Sequence, residues 1–241
     1  MTAPFSPVAE PAEFLEWDSA FFGRRIARVR GDSLDESGAV LEWCAANRID
    51  CLYFLTAADA ATIAAAEHHG FSLVDIRVTY ARDLTGLPEA GTGIRQAIPE
   101  DIERLKQITG RSFSDSRFYA DPHFDRAQCD ALYAAWIERS CQGYATRVLV
   151  ASCNGEVAGY VTCNLAGDTG NISLIAVDPA AHGQGLGRGL VAAALYYFAA
   201  QGMTRSTVVT QGRNIASQRL YQRCGYLLQT TELWYHRWFT P

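Results

Sequence analysis

Leu174-Ile-Ala-Val-Asp-Pro-Ala-Ala-His-Gly-Gln-Gly-Leu-Gly-Arg-Gly-Leu190 is the stretch on which the reading of the fold turns. Residues 174–177 form an apolar run of the kind that makes a buried strand. Asp178-Pro179 ends it, and Gly183, Gly185, Gly187 and Gly189 alternate into an Ala- and Leu-rich segment that reads as a helix up to Gln201. Glycines let a backbone turn tightly and aim several N–H groups at one point. With the positive end of the following helix, those groups suit a phosphate or pyrophosphate. Two better-known phosphate loops do not fit. A G-x-G-x-x-G begun at Gly183 or Gly185 ends on Arg188 or Leu190, and a P-loop needs a Gly-Lys-Ser/Thr that is absent.

Working outward, residues 206–210 read as a strand, 215–224 as a helix, and a last strand starts at Tyr226. On the other side, Asn154-Gly155 is a hairpin turn between strands 147–152 and 157–163, and 171–177 is the next strand. Before these, Cys129, Leu132, Tyr133, Trp136 and Ile137 make one helical stripe, with Asp125 and Gln128 at capping-box spacing. Strand 94–97 and a helix opened by Pro99-Glu100-Asp101 precede them. The order β-α-α-β-β-β-α-β-α-β predicts an α/β (α+β) fold with a mixed sheet.

Residues 85–93 hold three Gly and one Pro in nine positions, a composition break that divides 1–92 from 93–241. The first part reads as strand 26–29, helix 40–47, strand 50–56, helix 57–69 and strand 71–84, with Gly70 in the left-handed conformation after the helix. Gly70-Phe71 and Gly225-Tyr226 lie 155 residues apart, each closing a helix and opening a strand that reaches Tyr80 or Tyr235 at equal spacing. Either helix–Gly–strand is a common unit, or the first part is a truncated copy of the second.

The 241 residues are 49% hydrophobic and 20% charged, which excludes a disordered, collagen or coiled-coil chain. Net charge is −5 with no run of Lys or Arg, against a nucleic-acid or anionic-membrane partner held by bulk charge. The apolar run 190–200 is far short of the roughly 20 residues of a membrane span. Met1 leads onto Pro4, Pro7 and Pro11 without a signal-peptide pattern, so a cytoplasmic protein is expected. Seven cysteines, odd in number and without a C-x-x-C pair, read as free and mostly buried thiols. His68-His69 point about 100° apart on a helix, a poor ligand pair, and no metal is expected.

A second segment, Asn214-Ile-Ala-Ser-Gln-Arg-Leu-Tyr221-Gln-Arg-Cys-Gly-Tyr226, places Asn214 at a helix N-cap and Tyr221 two turns on, on the same side. Tyr221 is a phenol able to protonate a basic leaving group, or a core residue; the pair alone does not decide. The two segments together resemble the GCN5-related N-acetyltransferases (GNAT). His182-Gly-Gln-Gly185-Leu-Gly187 is similar to that family's R/Q-x-x-G-x-G/A loop, with His in place of Arg/Gln, and residues 214–226 keep N-x-x-[A/S]-x-x-L-Y-x-x-x-G-[F/Y] with Ser217. The resemblance covers about residues 93–238. It implies a mostly antiparallel sheet flanked by helices, and acetyl-CoA as co-substrate with no metal. The pantetheine arm would lie along Ile175, Ala176 and Val177, and the pyrophosphate on His182, Gly183, Gln184, Gly185, Leu186, Gly187 and Arg188. Asn214 and Ser217 complete the cofactor side, and Tyr221 would protonate the leaving thiolate. Many members carry a Glu base on the strand before the loop; here Ser173, Leu174 and Ile175 stand there.

Residues 16–23, residues 70–75 and the stretch from Ser116 to Glu138 resemble the narrower group of TDP-fucosamine acetyltransferases, nucleotide-sugar N-acetyltransferases. That likeness implies a truncated first domain on the substrate side, Asp75 binding or deprotonating the sugar amine, and Arg117, Phe118, Tyr119 and His123 as the substrate loop. Asp75 as a strand-surface carboxylate and Arg117 as a surface ion-pair partner are the plainer readings. Rival functions are acetylation of another small amine or a protein N-terminus, and a non-catalytic acyl-CoA sensor. A homodimer is compatible with the family.

Overall fold

The computed structural model describes residues 10–31, 34, 37–88 and 93–239. In chain order the elements are β1 (Ala12–Phe14), α1 (Glu16–Phe22), β2 (Ile26–Val29), α2 (Ser37–Ala46), β3 (Cys51–Ala57), α3 (Ala60–His68), β4 (Ser72–Asp83), β5 (Ile94–Gln96), α4 (Ile102–Ser112), α5 (Arg117–Ala120) and α6 (Arg126–Arg139). There follow β6 (Arg147–Cys153), β7 (Glu156–Ala166), β8 (Thr169–Val177), α7 (Leu186–Ala200), β9 (Arg205–Gln211), α8 (Ile215–Arg223) and β10 (Leu227–Trp238). The expected elements are all present; β1, α1 and the four-residue α5 are additions. The chain folds as two compact units, residues 1–75 with 232–241, and residues 76–231. The Gly- and Pro-rich stretch 85–93 falls within the span of the second, and its residues 89–92 lie outside the described residues.

In the first unit β1 pairs antiparallel with β2, β2 parallel with β3, and β3 antiparallel with the end of β10, from Glu232 opposite Ala57 to Trp238 opposite Cys51. Cys51, Leu52, Tyr53 and Phe54 are fully buried in succession, as befits a strand covered on both faces. Asp59 caps α3 by accepting from the Ala61 and Thr62 N–H groups at 3.1 and 3.0 Å, which starts the helix later than its Ala-rich sequence suggests.

In the second unit β4, β9, β8, β7, β6 and β5 follow one another, and among the described residues the β8–β9 pair is parallel and the other pairs in this run are antiparallel. Neighbouring residues of β7 point to opposite faces. Val161 and Cys163 meet Leu190, Val191, Ala194, Leu195 and Phe198 of α7, whereas Tyr160 meets Leu105 and Ile108 of α4 and Ile137 of α6. Each fully buried Leu, Ile or Phe here contributes about 1.5–3 kcal/mol. Phe198 lies flat against Gly170, where any β-carbon would collide with its ring.

Both members of the 155-residue repeat close their helix in the same way. The Phe71 N–H donates to Ala66 O and the Gly70 N–H to Glu67 O, and 155 residues on Tyr226 donates to Tyr221 and Gly225 to Gln222, all at 3.0 Å. These are two Schellman caps with glycine at φ +71° and +81°. The second anchors the Tyr221 carbonyl.

Candidate active site

β8 departs from regular pairing where the sequence placed the cofactor edge. Thr162 lies opposite Leu174 but Cys163 lies opposite Ile172, so Ser173 is an extra residue, a β-bulge. The Thr162 hydroxyl takes the Leu174 N–H at 2.8 Å across the irregularity. On its other side β8 pairs with β9 only from Thr169–Arg205 to Ile172–Val208, although β8 runs on to Val177 and β9 to Gln211. Residues 174–177, including Ile175, Ala176 and Val177, thus have β7 on one edge and, among the described residues, no ladder partner on the other. That edge offers backbone N–H and C=O groups to an extended ligand.

The loop after Val177 is held by polar clamps. Asp178 is 3% exposed, accepts from the Ala180 N–H at 3.0 Å, and pairs with Arg104 at 2.7 Å. The Ala180 N–H foremost, and the Arg104 and Arg111 charges, hold its carboxyl below the usual range against the cost of burial. Arg104 also donates to Val157 O at 2.9 Å, tying β7 to the loop. The His182 ring lies 3.0 Å from Val177 O, so this residue braces the strand end. Gln184 accepts from the Cys153 thiol at 2.9 Å.

Gly183 and Gly185 stand at φ +79° and +78° with open space where a side chain would begin. Gly185 is the N-cap of α7, and no side chain caps that helix. The N–H groups of Leu186, Gly187 and Arg188 have no intrahelical acceptor and sit at the positive end of a 15-residue dipole. A β-carbon on Gly187 would stand 3.3 Å from Leu220, so glycine there lets α7 and α8 approach. Arg188 is exposed on the first turn, which holds no acidic residue. An uncapped helix start of this kind favours negative charge.

Asn214 caps α8 by accepting from the Ser217 N–H at 3.0 Å. Tyr221 is 2% exposed, with ring centroids 6.1 Å from Tyr80 and 6.0 Å from Tyr226. Burial raises its phenol above the ordinary value, the Tyr226 phenol adds to this, and the Ser217 hydroxyl opposes it. Gln218 accepts from the Tyr80 hydroxyl at 3.1 Å and donates to Gly212 O at 2.8 Å, joining β4, α8 and the turn between β9 and α8. Arg104, Thr162 and Gln218 escaped the sequence reading. Asp178 was taken only as a strand end, although Asp before Pro is a recognisable cap pattern.

The expected substrate segment is an aromatic cluster. Phe118 is 1% exposed, edge-on to Phe124 at 5.4 Å and to Trp136 at 6.2 Å, so its ring serves packing. The Arg117 guanidinium lies 4.4 Å from the Phe118 centroid. Tyr119 stacks on Tyr133 and donates to Asp130 at 2.6 Å. His123 lies 2.8 Å from the Asp121 carboxylate. Asp75 belongs to the first unit and is 4% exposed, a buried carboxylate and not a surface one. Among the described residues no His, Cys, Asp and Glu group could hold a metal, and no helix is long and apolar enough to cross a membrane. All seven cysteines are free thiols, five of them buried.

The profile of the acetyltransferase (GNAT) family matches residues 103–226. A dTDP-fucosamine acetyltransferase of Escherichia coli O6:H1 is 30% identical over 237 residues, 96% of this chain and 100% of that one. The spore coat polysaccharide biosynthesis protein SpsD of Bacillus subtilis is 31% identical over 140 residues, 58% of this chain and 48% of its own. Among solved structures, a GCN5-related N-acetyltransferase from Sphaerobacter thermophilus superposes with a TM-score of 0.65 at 16% identity, covering 95% of this chain and 76% of that chain.

Proposed function

Since the chain belongs to the acetyltransferase (GNAT) family and is an acyltransferase, we propose that it moves acetyl from acetyl-CoA to the primary amine of a nucleotide-activated amino sugar. The observation that carries the co-substrate is the parting of β8 from β9 beyond Ile172–Val208, with an uncapped, glycine-lined helix start at the far end of the free edge. From Ile172 to Val177 the edge spans about 17 Å at 3.3 Å per residue, room for an extended pantetheine arm. The backbone of Ile175, Ala176 and Val177 pairs with its amides. The N–H groups from Gly183 to Arg188 take the pyrophosphate, His182 and Gln184 brace that loop, and Asn214 and Ser217 set the start of α8. Acetyl-CoA supplies an acetyl group already activated as a thioester.

The chain's own part is positioning and proton transfer. The neutral amine is the nucleophile, so no side chain need be acylated. Tyr221, protonated throughout the physiological range because burial raises its phenol, gives its proton to the leaving thiolate. Asp75 takes the proton that the amine loses, directly or through water. Arg117, Tyr119 and His123 belong to the acceptor side; Arg117 meets a diphosphate with a charge-assisted bond, while Phe118 supports that segment from beneath. The sugar-nucleotide acceptor rests on likeness to the dTDP-fucosamine acetyltransferase, with likeness to a spore coat polysaccharide biosynthesis protein beside it. No membrane or nucleic-acid partner enters this scheme, and the cytoplasm is the proposed compartment.

The test is thiol release from acetyl-CoA with a panel of dTDP-linked 4-amino sugars, free amino sugars, amino acids and polyamines. Preference for a dTDP-linked amine supports the reading. Turnover with another class alone removes the nucleotide sugar, and acetyl-CoA binding without turnover on any amine removes catalysis.

A further inference from the structure

Across β7, β8 and β9 runs a row of hydrogen bonds that the proposed chemistry does not use. The Thr146 N–H donates to Asn164 Oδ1 at 3.1 Å, Asn164 Nδ2 to Ser173 Oγ at 2.9 Å, Ser173 Oγ to Asn171 Oδ1 at 3.0 Å, and Asn171 Nδ2 to Thr207 Oγ1 at 3.0 Å. A backbone amide can only donate, so Thr146 fixes which end of the Asn164 amide faces it. Asn164 must then present N–H to Ser173. The serine, having accepted, turns its proton to Asn171, which presents N–H to Thr207. One backbone group thus sets the direction of every bond down to β9. The row ends on the Thr207 hydroxyl proton, which meets no acceptor among the described residues.

Its place is as informative as its direction. Asn171 and Thr207 are directly opposite one another, in the last stretch where β8 and β9 are paired. Ser173 is the bulge residue itself, and the strands separate beyond it. Asn164 lies opposite Asn171 on the face away from α7, since the adjoining Cys163 and Ile172 belong to the α7 core. Ser173 is exposed, and Asn164, Asn171 and Thr207 are half-buried, so the row is open to solvent. It lies at the closed end of the strand gap, opposite the end where the glycine loop stands.

We infer that Asn164, Ser173, Asn171 and Thr207 form a directional donor row whose last hydroxyl, on Thr207, binds a lone-pair oxygen of the acceptor, a hydroxyl or ring oxygen of its sugar. This rests on the amino-sugar reading and adds specificity to it. Thr207 is the contact; Asn164, Ser173 and Asn171 are positioning residues that act through it. A row that ends on a donor repels an ammonium group and cannot take its proton, so it receives the oxygen side of the acceptor and leaves the amine to another group.

The direction can be reversed at its far end. Asn164→Asp keeps the acceptor for Thr146 but has no N–H for Ser173; the serine proton then turns toward residue 164, the Asn171 amide flips, and the Thr207 proton turns inward. A change two strand spacings away, about 10 Å, converts the terminal donor into an acceptor. The experiment measures steady-state constants for wild type, Thr207→Val, Thr207→Ser and Asn164→Asp. The probes are dTDP-fucosamine and analogues with each sugar hydroxyl replaced by hydrogen, and acetyl-CoA binding is measured by calorimetry.

Thr207→Val and Asn164→Asp should each raise the acceptor KM about 3- to 10-fold, the worth of one neutral hydrogen bond. Their kcat should stay within about twofold, Thr207→Ser should match wild type, and acetyl-CoA affinity should not change in any of them. One deoxy analogue should show the same loss on wild type and no further loss on the two variants. Wild-type constants in Asn164→Asp, a weaker acetyl-CoA affinity in Thr207→Val, or equal sensitivity of all enzymes to every deoxy analogue would overturn the assignment. If wild type turns over only a different amine of the panel, the nucleotide-sugar reading falls while the row is judged by the same variants on that amine. Absence of turnover on all amines defeats both.

Discussion

Gly185→Ala separates the anion-binding role of the loop from its backbone geometry. Gly185 has φ +78° and ψ 0°, and a methyl group there meets nothing within 4 Å. The stability cost is therefore conformational alone, about 1–2 kcal/mol for an L-residue in the left-handed region. Gly202, just past the other end of α7, also has φ +78° and open space, so Gly202→Ala carries the same cost. Both variants should lower Tm by about 2–8 °C for a chain of this size. Only Gly185 stands at the uncapped helix start. A methyl group there pushes a phosphate away from one or more charge-assisted N–H bonds, each about 1.5–3 kcal/mol. Loss of one corresponds to a Kd for CoA raised about 10- to 150-fold. Calorimetric titration with CoA, beside thermal melts, reads both quantities. Equal CoA affinity in the two variants, at either the wild-type or a weakened value, would refute the reasoning.

Tyr221→Phe keeps the ring between Tyr80 and Tyr226; kcat should fall about 100-fold or more for loss of a general acid, with acetyl-CoA affinity retained, as thiol-release kinetics and calorimetry will show. Arg104→Met leaves the buried Asp178 carboxylate without its 2.7 Å partner. Because the Arg104 side chain is itself 32% exposed, the expected loss is about 1–3 kcal/mol, below that of a fully buried pair, measured by urea unfolding. The Arg95 guanidinium, with the Ile98 N–H, holds the Asp101 carboxyl below the usual range against the cost of burial, and the Ala180 N–H foremost does so for Asp178. Depressed folded values mean that these groups contribute stability above the unfolded value, about 3.9. The contribution disappears as pH falls through the folded values. Melts should therefore show little effect of these groups between pH 7 and about pH 5 and a decline below about pH 4, flattened in Asp101→Asn. Gly170→Ala, which drives a methyl group into the Phe198 ring, should cost at least about 1–3 kcal/mol by overpacking.

Local signals were the legible ones. Asn154-Gly155 is a two-residue turn with both φ values positive, +52° and +84°, as the dipeptide indicates. His-Gly and Cys-Gly announce two Schellman caps because only the residue after a helix needs the left-handed conformation. Gly183 and Gly185 announce the loop before α7 because their φ values, +79° and +78°, favour glycine. What depends on register was not legible. Nothing around Ser173 distinguishes a bulge residue from an ordinary strand residue, and the Asn164–Thr207 row exists only once β7, β8 and β9 are aligned. Arg117, Phe118, Tyr119 and His123 were expected as a substrate loop, and the burial of Phe118 against Trp136 of α6 is a packing that one sequence does not encode locally. Composition marked a break at 85–93, whereas the compact units divide within β4 and β10. β4 leaves α3 and pairs with β9, more than 100 residues downstream, and such long-range pairing leaves no local mark.

The central claim is that an acyl-CoA lies along the free edge of β8 with its phosphates on the loop before α7. Backbone amide NMR of the ¹⁵N-labelled chain during titration with CoA tests it most directly. The account predicts saturable shifts of the N–H signals of residues 173–177 and 183–188, with Gly185→Ala moving saturation of both groups to higher CoA concentration. Saturable shifts confined to other strands, or none in the 183–188 loop, would contradict it.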